Sequence, residues 1–263
     1  MIAEILSMIK KPTGVKCFRF FIGMILVLFL AAGRALAGPP LITDDPDTPG
    51  PNSWEIDVAT TSAYVQRTWD LETPLLDINY GIGDHIELTC ELPWEVTVPD
   101  HGGTDSGLGN TLLGVKWRFL DQTNAWLDVS AYPQVEFNNP TASVRHGLAN
   151  DGTTVLLPFE VGHRFGPLDI YADTAYVWNQ RQVTGGFCGV AAEYELSENF
   201  SVMAELHDDF ETHLTNNELD FNLGFRRTLT EHISLIGSAG RAIFGPSQTA
   251  PGFMSYLALE FTF

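Results

Sequence analysis

A histidine followed by two aspartates is the first group in this sequence that could do chemistry. His207, Asp208 and Asp209 are consecutive, and a histidine held by a carboxylate can act as a general base. A hydrolase of the protease or lipase type would also need a nucleophile within hydrogen-bond reach. No paired serine signature accompanies the triplet. We therefore interpret it as a solvated strand end and keep a rim enzyme as an alternative.

Five charged residues form a second candidate group, because their spacing points them to one side of a sheet: Asp77, Glu87, Glu91, Lys116 and Arg118. If the chain turns back at Ile82, Asp77 comes opposite Glu87, and the next hairpin brings both bases close to Glu87 and Glu91. Like charges directly opposed on a sheet are unfavourable unless a base or cation lies between them. The group is predicted to be a charge ladder, either a structural brace or a constriction that selects solutes by charge.

Metal and cofactor chemistry is not predicted. Asp44, Asp45 and Asp47 have the side chains of metal ligands, but they lack the ordered spacing and the closing glutamate of a calcium loop. We expect no metal site and no cofactor.

The charge of the chain excludes nucleic acid as a partner. Acidic residues number 33 against 14 basic ones, and the formal net charge is −19. An anionic phosphate backbone would be repelled by such a chain.

The first 37 residues have the three zones of a secretory signal peptide. Basic residues from Lys10 to Arg19 precede an uncharged apolar run, 20–33, and Ala35-Leu36-Ala37 follows as a small-residue cleavage site. The run is shorter than the ~20 residues of a membrane-spanning helix. We predict cleavage after Ala37, which leaves 9 basic and 32 acidic residues.

The rest of the chain alternates apolar and polar residues, as strands do when one face meets lipid. In 86–96, Ile86, Leu88, Cys90, Leu92, Trp94 and Val96 share one face. The alternation predicts twelve strands: 54–66, 72–81, 85–98, 109–120, 125–137, 153–164, 168–178, 185–196, 200–210, 219–229, 233–243 and 252–263. We therefore predict an all-β fold, a closed antiparallel transmembrane β-barrel of about twelve strands with up-and-down topology, over residues 54–263.

The connections support the barrel over a soluble β-sandwich. Short, turn-rich connections such as 82–84 and 165–167 alternate with longer ones such as 99–108 and 138–152. Barrels have short periplasmic turns and longer external loops, whereas a sandwich has no reason to alternate them. The Pro- and Asp-rich residues 38–53 are then a periplasmic N-terminal segment, either a solvated leader or a short tether folded into the barrel mouth.

The mature start resembles one family. Residues 38–50, Gly-Pro-Pro-Leu-Ile-Thr-Asp-Asp-Pro-Asp-Thr-Pro-Gly, are followed by Trp54-Glu55-Ile56. Together with Glu91-Leu92-Pro93-Trp94 and Gly114-Val115-Lys116-Trp117, they resemble outer-membrane transporters of the phenol meta-pathway degradation family. The resemblance spans nearly all of the mature chain and implies a barrel that passes small molecules, aromatic ones among them. Asn110 departs from the acidic residue expected there.

These observations favour an exported channel of the cell outer membrane for passive uptake of small molecules, and not an enzyme. A non-transporting structural barrel is the other alternative. The expected partners are outer-membrane lipid, small solutes and the outer-membrane assembly machinery. The machinery would recognise the C-terminal strand, which ends on the aromatic Phe263.

Overall fold

The computed structural model describes residues 40–138, 141–212, 215–246 and 249–263. The predicted signal peptide, 1–37, and its cleavage site after Ala37 lie outside these ranges. So do the first two residues of the predicted N-terminal segment, and we use that name below for residues 40–53.

The described residues form fourteen strand segments and one short helix. Their bounds are β1 Trp54–Val65, β2 Thr68–Ile82, β3 Ile86–Pro99, β4 Asp105–Leu108, β5 Asn110–Leu120, β6 Asp128–Ala131, β7 Gln134–Asn138, α1 Thr141–Arg145, β8 Thr153–Phe165, β9 Leu168–Asn179, β10 Gly185–Ser197, β11 Phe200–Glu211, β12 Thr215–Thr230, β13 Ile233–Phe244 and β14 Phe253–Thr262. No helix in the described ranges is long and apolar enough to cross a membrane.

The fourteen segments make a closed barrel of twelve antiparallel strands, which confirms the predicted fold. Two strands are interrupted: β4 and β5 both pair with β3, and β6 and β7 both pair with β5 and β8. The first and last strands close the ring, with Glu55 opposite Thr262 and Tyr64 opposite Phe253. Closure leaves no unpaired sheet edge, which is what lets strands lie in lipid.

The barrel is apolar outside and polar inside. Large apolar side chains such as Leu88, Val190 and Leu257 are exposed on the outer face. Charged side chains such as Asp57, Lys116 and Glu160 are buried at 1%, 1% and 0% exposure. A water-soluble protein shows the reverse distribution. A small apolar cluster of Ala59, Leu75, Ile236 and Ala258 also lies inside.

The two ends of the barrel differ. At one end, here called the terminal end, Trp54 and Phe263 exchange backbone hydrogen bonds, and two-residue turns join β8 to β9, β10 to β11 and β12 to β13. The opposite, loop end carries α1 and the connection 146–152 that leads into β8. Aromatic side chains lie at both ends of the barrel. The ring centroids of Trp54 and Tyr80 are 4.6 Å apart at the terminal end, and those of Trp69 and Tyr64 are 5.0 Å apart at the loop end.

Several strand predictions need correction. β1 and β2 meet at the loop end in a two-residue turn, Gln66 and Arg67, both at positive φ. A longer connection was expected, because the predicted strands ended at 66 and began at 72. The predicted strand 125–137 is broken at 132–133, and its first residues belong to a turn. The predicted loop 99–108 contains β4.

Candidate functional site: the barrel lumen

The N-terminal segment runs through the lumen from the terminal end. Followed backward along the chain, the segment starts beside β2, where Asn52 N donates to the Gly81 carbonyl at 2.9 Å. Thr48 Oγ1 donates to the Asp84 carbonyl at 3.2 Å. Eight residues before Thr48, the Pro40 carbonyl accepts a 2.6 Å hydrogen bond from Ser238 Oγ on β13. The segment therefore crosses the interior instead of stopping at the barrel mouth.

Lys116 on β5 holds the middle of this segment. Its Nζ donates to Asp44 Oδ2 at 2.9 Å and to the Asp45 carbonyl at 2.8 Å. It also lies 3.5 Å from Glu160 Oε2 on β8 and 4.8 Å from the Tyr132 ring centroid. A buried ammonium is stable only when such partners replace its hydration shell.

Arg118 lies two residues after Lys116 on β5 and holds the segment nearer the terminal end. Its Nη1 donates to Asp47 Oδ1 at 2.6 Å, and its Nη2 donates to the Asp84 carbonyl at 2.7 Å. Nη2 is also 3.5 Å from Asp121, whose pKa is lowered chiefly by hydrogen bonds from Thr123.

Two carboxylates hold the other side of the segment through its backbone. Glu205 on β11 accepts from Ile42 N at 3.0 Å and from Thr43 N at 2.7 Å. Asp173 on β9 accepts from Asp44 N at 3.1 Å. Hydrogen bonds to ionised acceptors are roughly twice as strong as neutral ones. We call Lys116, Arg118, Asp173 and Glu205 the clamp.

Strand glycines make room for the segment. A Cβ on Gly162 would lie 2.9 Å from Pro46 Cγ, and one on Gly189 would lie 2.1 Å from Thr43 Oγ1. Real Cβ contacts are essentially never that close, so a larger residue at either position would push against the segment. The strands and the segment are complementary in shape as well as in charge.

The wall facing the clamp is a row of four carboxylates on neighbouring strands. Glu260 is opposite Asp57, Asp57 is opposite Asp77, and Asp77 is opposite Glu91. Arg226 forms an ion pair with Glu260, but within the described residues no ion pair joins the other three to a base. Tyr256 OH donates to Asp57 Oδ2 at 3.0 Å. We call these four residues the acidic row.

The predicted charge ladder is only partly assembled. Asp77 lies opposite Glu91 instead of Glu87, because β2 and β3 pair about a three-residue turn, with Ile82 opposite Ile86. Glu87 lies opposite Lys116 as the hairpin predicted. The two bases turn away from Glu91: their ion pairs are with Asp44, Asp47, Glu160 and Asp121.

A cavity of about 660 Å³ separates the clamped segment from the acidic row. Leu41 to Asp44 line one side, and Asp77 and Glu91 line the other. Asn150 and Gln182 from the connections at the loop end also line it. Carboxylates outnumber Lys and Arg side chains among its lining residues, with Lys116 the one such base.

The histidine triplet is not a rim site. His207 is 2% exposed and lies in the lumen, because β11 continues four residues beyond it and pairs with β12 at Asp220. Its Nε2 is 3.5 Å from Asp209 Oδ2. Asp208 lies on the alternate face and accepts from Asn217 Nδ2 at 2.9 Å. Within the described residues, no hydroxyl is hydrogen-bonded to His207.

Sequence reasoning missed Glu160 and Thr43. Alternation within β8 places Glu160 on the inner face and could have identified it. Nothing in the pattern of residues 40–47 reports which wall they contact, because their path depends on side chains far away in the chain. Thr43 is 162 residues from Glu205, its hydrogen-bond partner.

Solved structures with a similar fold are outer-membrane proteins. The COG4313 outer membrane channel from Pseudomonas putida F1 matches with a TM-score of 0.67 and 14% identity, covering 85% of this chain and 100% of that chain. The KdgM porin matches with a TM-score of 0.57 and 9% identity, covering 80% and 99% of the two chains. The NanC porin has a TM-score of 0.58 and 9% identity, with 78% and 98% covered.

At these identities the likeness concerns the fold alone. No protein-family model matches the chain, and no curated protein sequence matches it.

Proposed function

We propose that this protein is a passive outer-membrane channel for small solutes, narrowed by its own N-terminal segment. One observation carries the proposal: a closed barrel exposes apolar side chains outside and buries charged ones inside. Lipid can cover such an exterior, whereas water would be in contact with an unusually large apolar surface. The terminal end, with its short turns, would face the periplasm.

The lumen determines which solutes the channel favours. Its cavity of about 660 Å³ has the size of small-molecule sites. Its carboxylates favour cations and neutral molecules over anions. Passage of neutral aromatic molecules, which the family resemblance implies, agrees with this size and with the rings of Tyr132, Phe187 and Tyr256 in the lining.

Flux into proteoliposomes tests the proposal. Vesicles containing the folded mature chain should swell in neutral solutes of small size and should stop swelling as solute size grows. Vesicles with heat-unfolded protein are the control for leakage. Absence of flux for every solute, with the folded barrel present in the bilayer, would overturn the channel in favour of a structural barrel.

A further inference from the structure

An arginine lies on the outer face of β13 near the loop end. Arg241 is exposed and precedes the end of that strand, Phe244, by three residues. Ile236 and Ala242 on the same strand are buried and face the lumen, so alternation places Arg241 outside. A lipid-facing charge is unfavourable in the middle of a bilayer and is tolerated near the headgroups. The headgroup level is therefore where Arg241 is expected to lie.

Aromatic side chains on four neighbouring strands lie at the same level. The register places Arg241 opposite Phe221 on β12 and beside Phe253 on β14. Phe253 is opposite Tyr64 on β1, and Tyr64 is opposite Trp69 on β2. The ring centroids of Trp69 and Phe253 are 5.9 Å apart. Such an aromatic row on the outside of a barrel marks the boundary between acyl chains and headgroups, which agrees with the position of Arg241.

The Arg241 guanidinium has no counter-charge in the described part of the chain. Its Nε donates to the Ala242 carbonyl at 3.3 Å, and it forms no ion pair there. Exposed apolar side chains such as Phe221 and Ile243 surround it. Its two terminal nitrogens can bind two oxygens of one phosphate group. Most other Lys and Arg side chains in the described ranges do form ion pairs: Arg67, Lys116, Arg118, Arg164, Arg181 and Arg226.

Arg227 on β12 is a second arginine on the outer face, and it has partners within the chain. It lies at the terminal end, where its Nη1 donates to Asn199 Oδ1 at 3.0 Å and its guanidinium is 6.0 Å from the Phe200 ring centroid. Arg227 is opposite Leu235 on β13, six residues or about 20 Å along the strand from Arg241. The two arginines therefore lie near opposite surfaces of the membrane, and Arg241 is the one left for a partner in the lipid.

We propose that the outer surface around Arg241 binds the phosphate group of a phosphorylated glycolipid in the outer leaflet. The proposal rests on the outer-membrane location and orientation given under the proposed function, in which the loop end faces outward, but it does not depend on conduction. The phosphate would lie at the guanidinium, beside Phe253 and Phe221. The acyl chains would extend toward the terminal end over exposed apolar side chains such as Leu223 and Leu257.

Native mass spectrometry of the folded barrel in an uncharged detergent tests this site, because it counts the lipids that stay bound. The probes are diphosphoryl lipid A, the same lipid with both phosphates removed, and phosphatidylglycerol. We expect diphosphoryl lipid A to bind about tenfold more tightly than either of the others. Equal binding of the dephosphorylated lipid would mean that acyl chains alone hold it, and equal binding of phosphatidylglycerol that the site is not one for a glycolipid. Either result, or a pair of barrels without bound lipid, would overturn the proposal.

Three variants locate the site. Arg241→Gln should weaken binding of diphosphoryl lipid A about tenfold, because a charged bidentate contact is lost. Arg241→Lys keeps the charge without the planar fork and should weaken binding about threefold. Arg227→Gln removes one positive charge at the terminal end as a matched control and should leave the affinity unchanged. Equal losses in Arg241→Gln and Arg227→Gln would overturn the site in favour of a general attraction. Solute flux should be unchanged in Arg241→Gln, so failure of this site is distinguishable from failure of the channel.

Discussion

The clamp and the acidic row are both built from charged residues buried in the same lumen, yet their charges are arranged differently. In the clamp every named charge has a partner: Lys116 has Asp44 and Glu160, and Glu205 accepts from two backbone amides. In the acidic row Asp57, Asp77 and Glu91 face one another. Charges that pair with a base or with backbone amides position a chain segment, whereas carboxylates that form no ion pair among the described residues set the potential of the path.

Loss of Lys116 should have the largest effect. Lys116→Met leaves the Asp44 and Glu160 carboxylates without their cation in a buried place, and removal of one partner of a buried pair costs about 3–5 kcal/mol. Urea unfolding in detergent micelles should show this loss in the free energy of unfolding. The single-channel conductance should rise, because the N-terminal segment is released.

The control for this change is Arg181→Gln. Arg181 pairs with Asp151 at 2.7 Å, but their side chains are 60% and 48% exposed. Exposed pairs contribute about 0–1 kcal/mol. Equal losses for the two variants would show that the clamp is not a buried ion-pair network.

A steric change should release the segment without altering the charge of the lumen. Gly162→Val introduces side-chain atoms where Pro46 packs, since even a Cβ would lie 2.9 Å from that ring. Single-channel conductance should rise while the preference for cations stays the same. Gly103→Ala, with no atom within 4 Å of its Cβ, should change neither quantity. An unchanged conductance in Gly162→Val would mean that the segment does not limit flow.

Neutralising the acidic row should change the preference for cations without releasing the N-terminal segment. Asp77→Asn combined with Glu91→Gln removes two opposed carboxylates, so stability should stay equal or rise by about 1 kcal/mol or less. The reversal potential in a salt gradient should move toward zero, because the negative potential weakens. Destabilisation similar to that of Lys116→Met would mean that the row is a brace.

A smaller effect is expected at the terminal-end turn. Hydrogen bonds from Thr123, including Thr123 N to Asp121 Oδ1 at 2.7 Å, lower the pKa of Asp121. A carboxyl group whose pKa is lowered in the folded state stabilises the fold at pH values above its unfolded-state pKa of about 3.9. This stabilisation is lost as the pH falls through the folded-state pKa. Asp121→Asn should therefore reduce stability at neutral pH and lose this part of the acid dependence. An unaltered pH profile of unfolding would contradict the assignment.

No effect is expected from oxidation. Cys90 on β3 and Cys188 on β10 are free cysteines on the outer face of separate strands. A disulfide needs Cα atoms about 6 Å apart. The intact mass should be the same with and without reductant, and an intramolecular bond between them would contradict the strand register.

The inward position of the acidic row could be predicted from the sequence, whereas the contacts between the clamp and the N-terminal segment could not. Alternation places Asp57, Asp77, Glu91 and Glu260 on inner faces, since each strand has a period of two. Their cross-strand partners depend on where the hairpin turns. The turn lies at 83–85, so Asp77 is opposite Glu91 and not opposite Glu87 as predicted. The clamp needs contacts between Asp44 or Thr43 and strands more than 70 residues away, and no local pattern encodes such contacts.

The reversal potential of the unmodified protein tests the central claim most directly. The mature chain, inserted into a planar bilayer, would be measured under a gradient of potassium chloride. An acidic lumen with its bases held by the N-terminal segment predicts a reversal potential on the cation-selective side. A potential of the opposite sign would contradict the account, because anions would then be passing a lumen whose free charges are carboxylates.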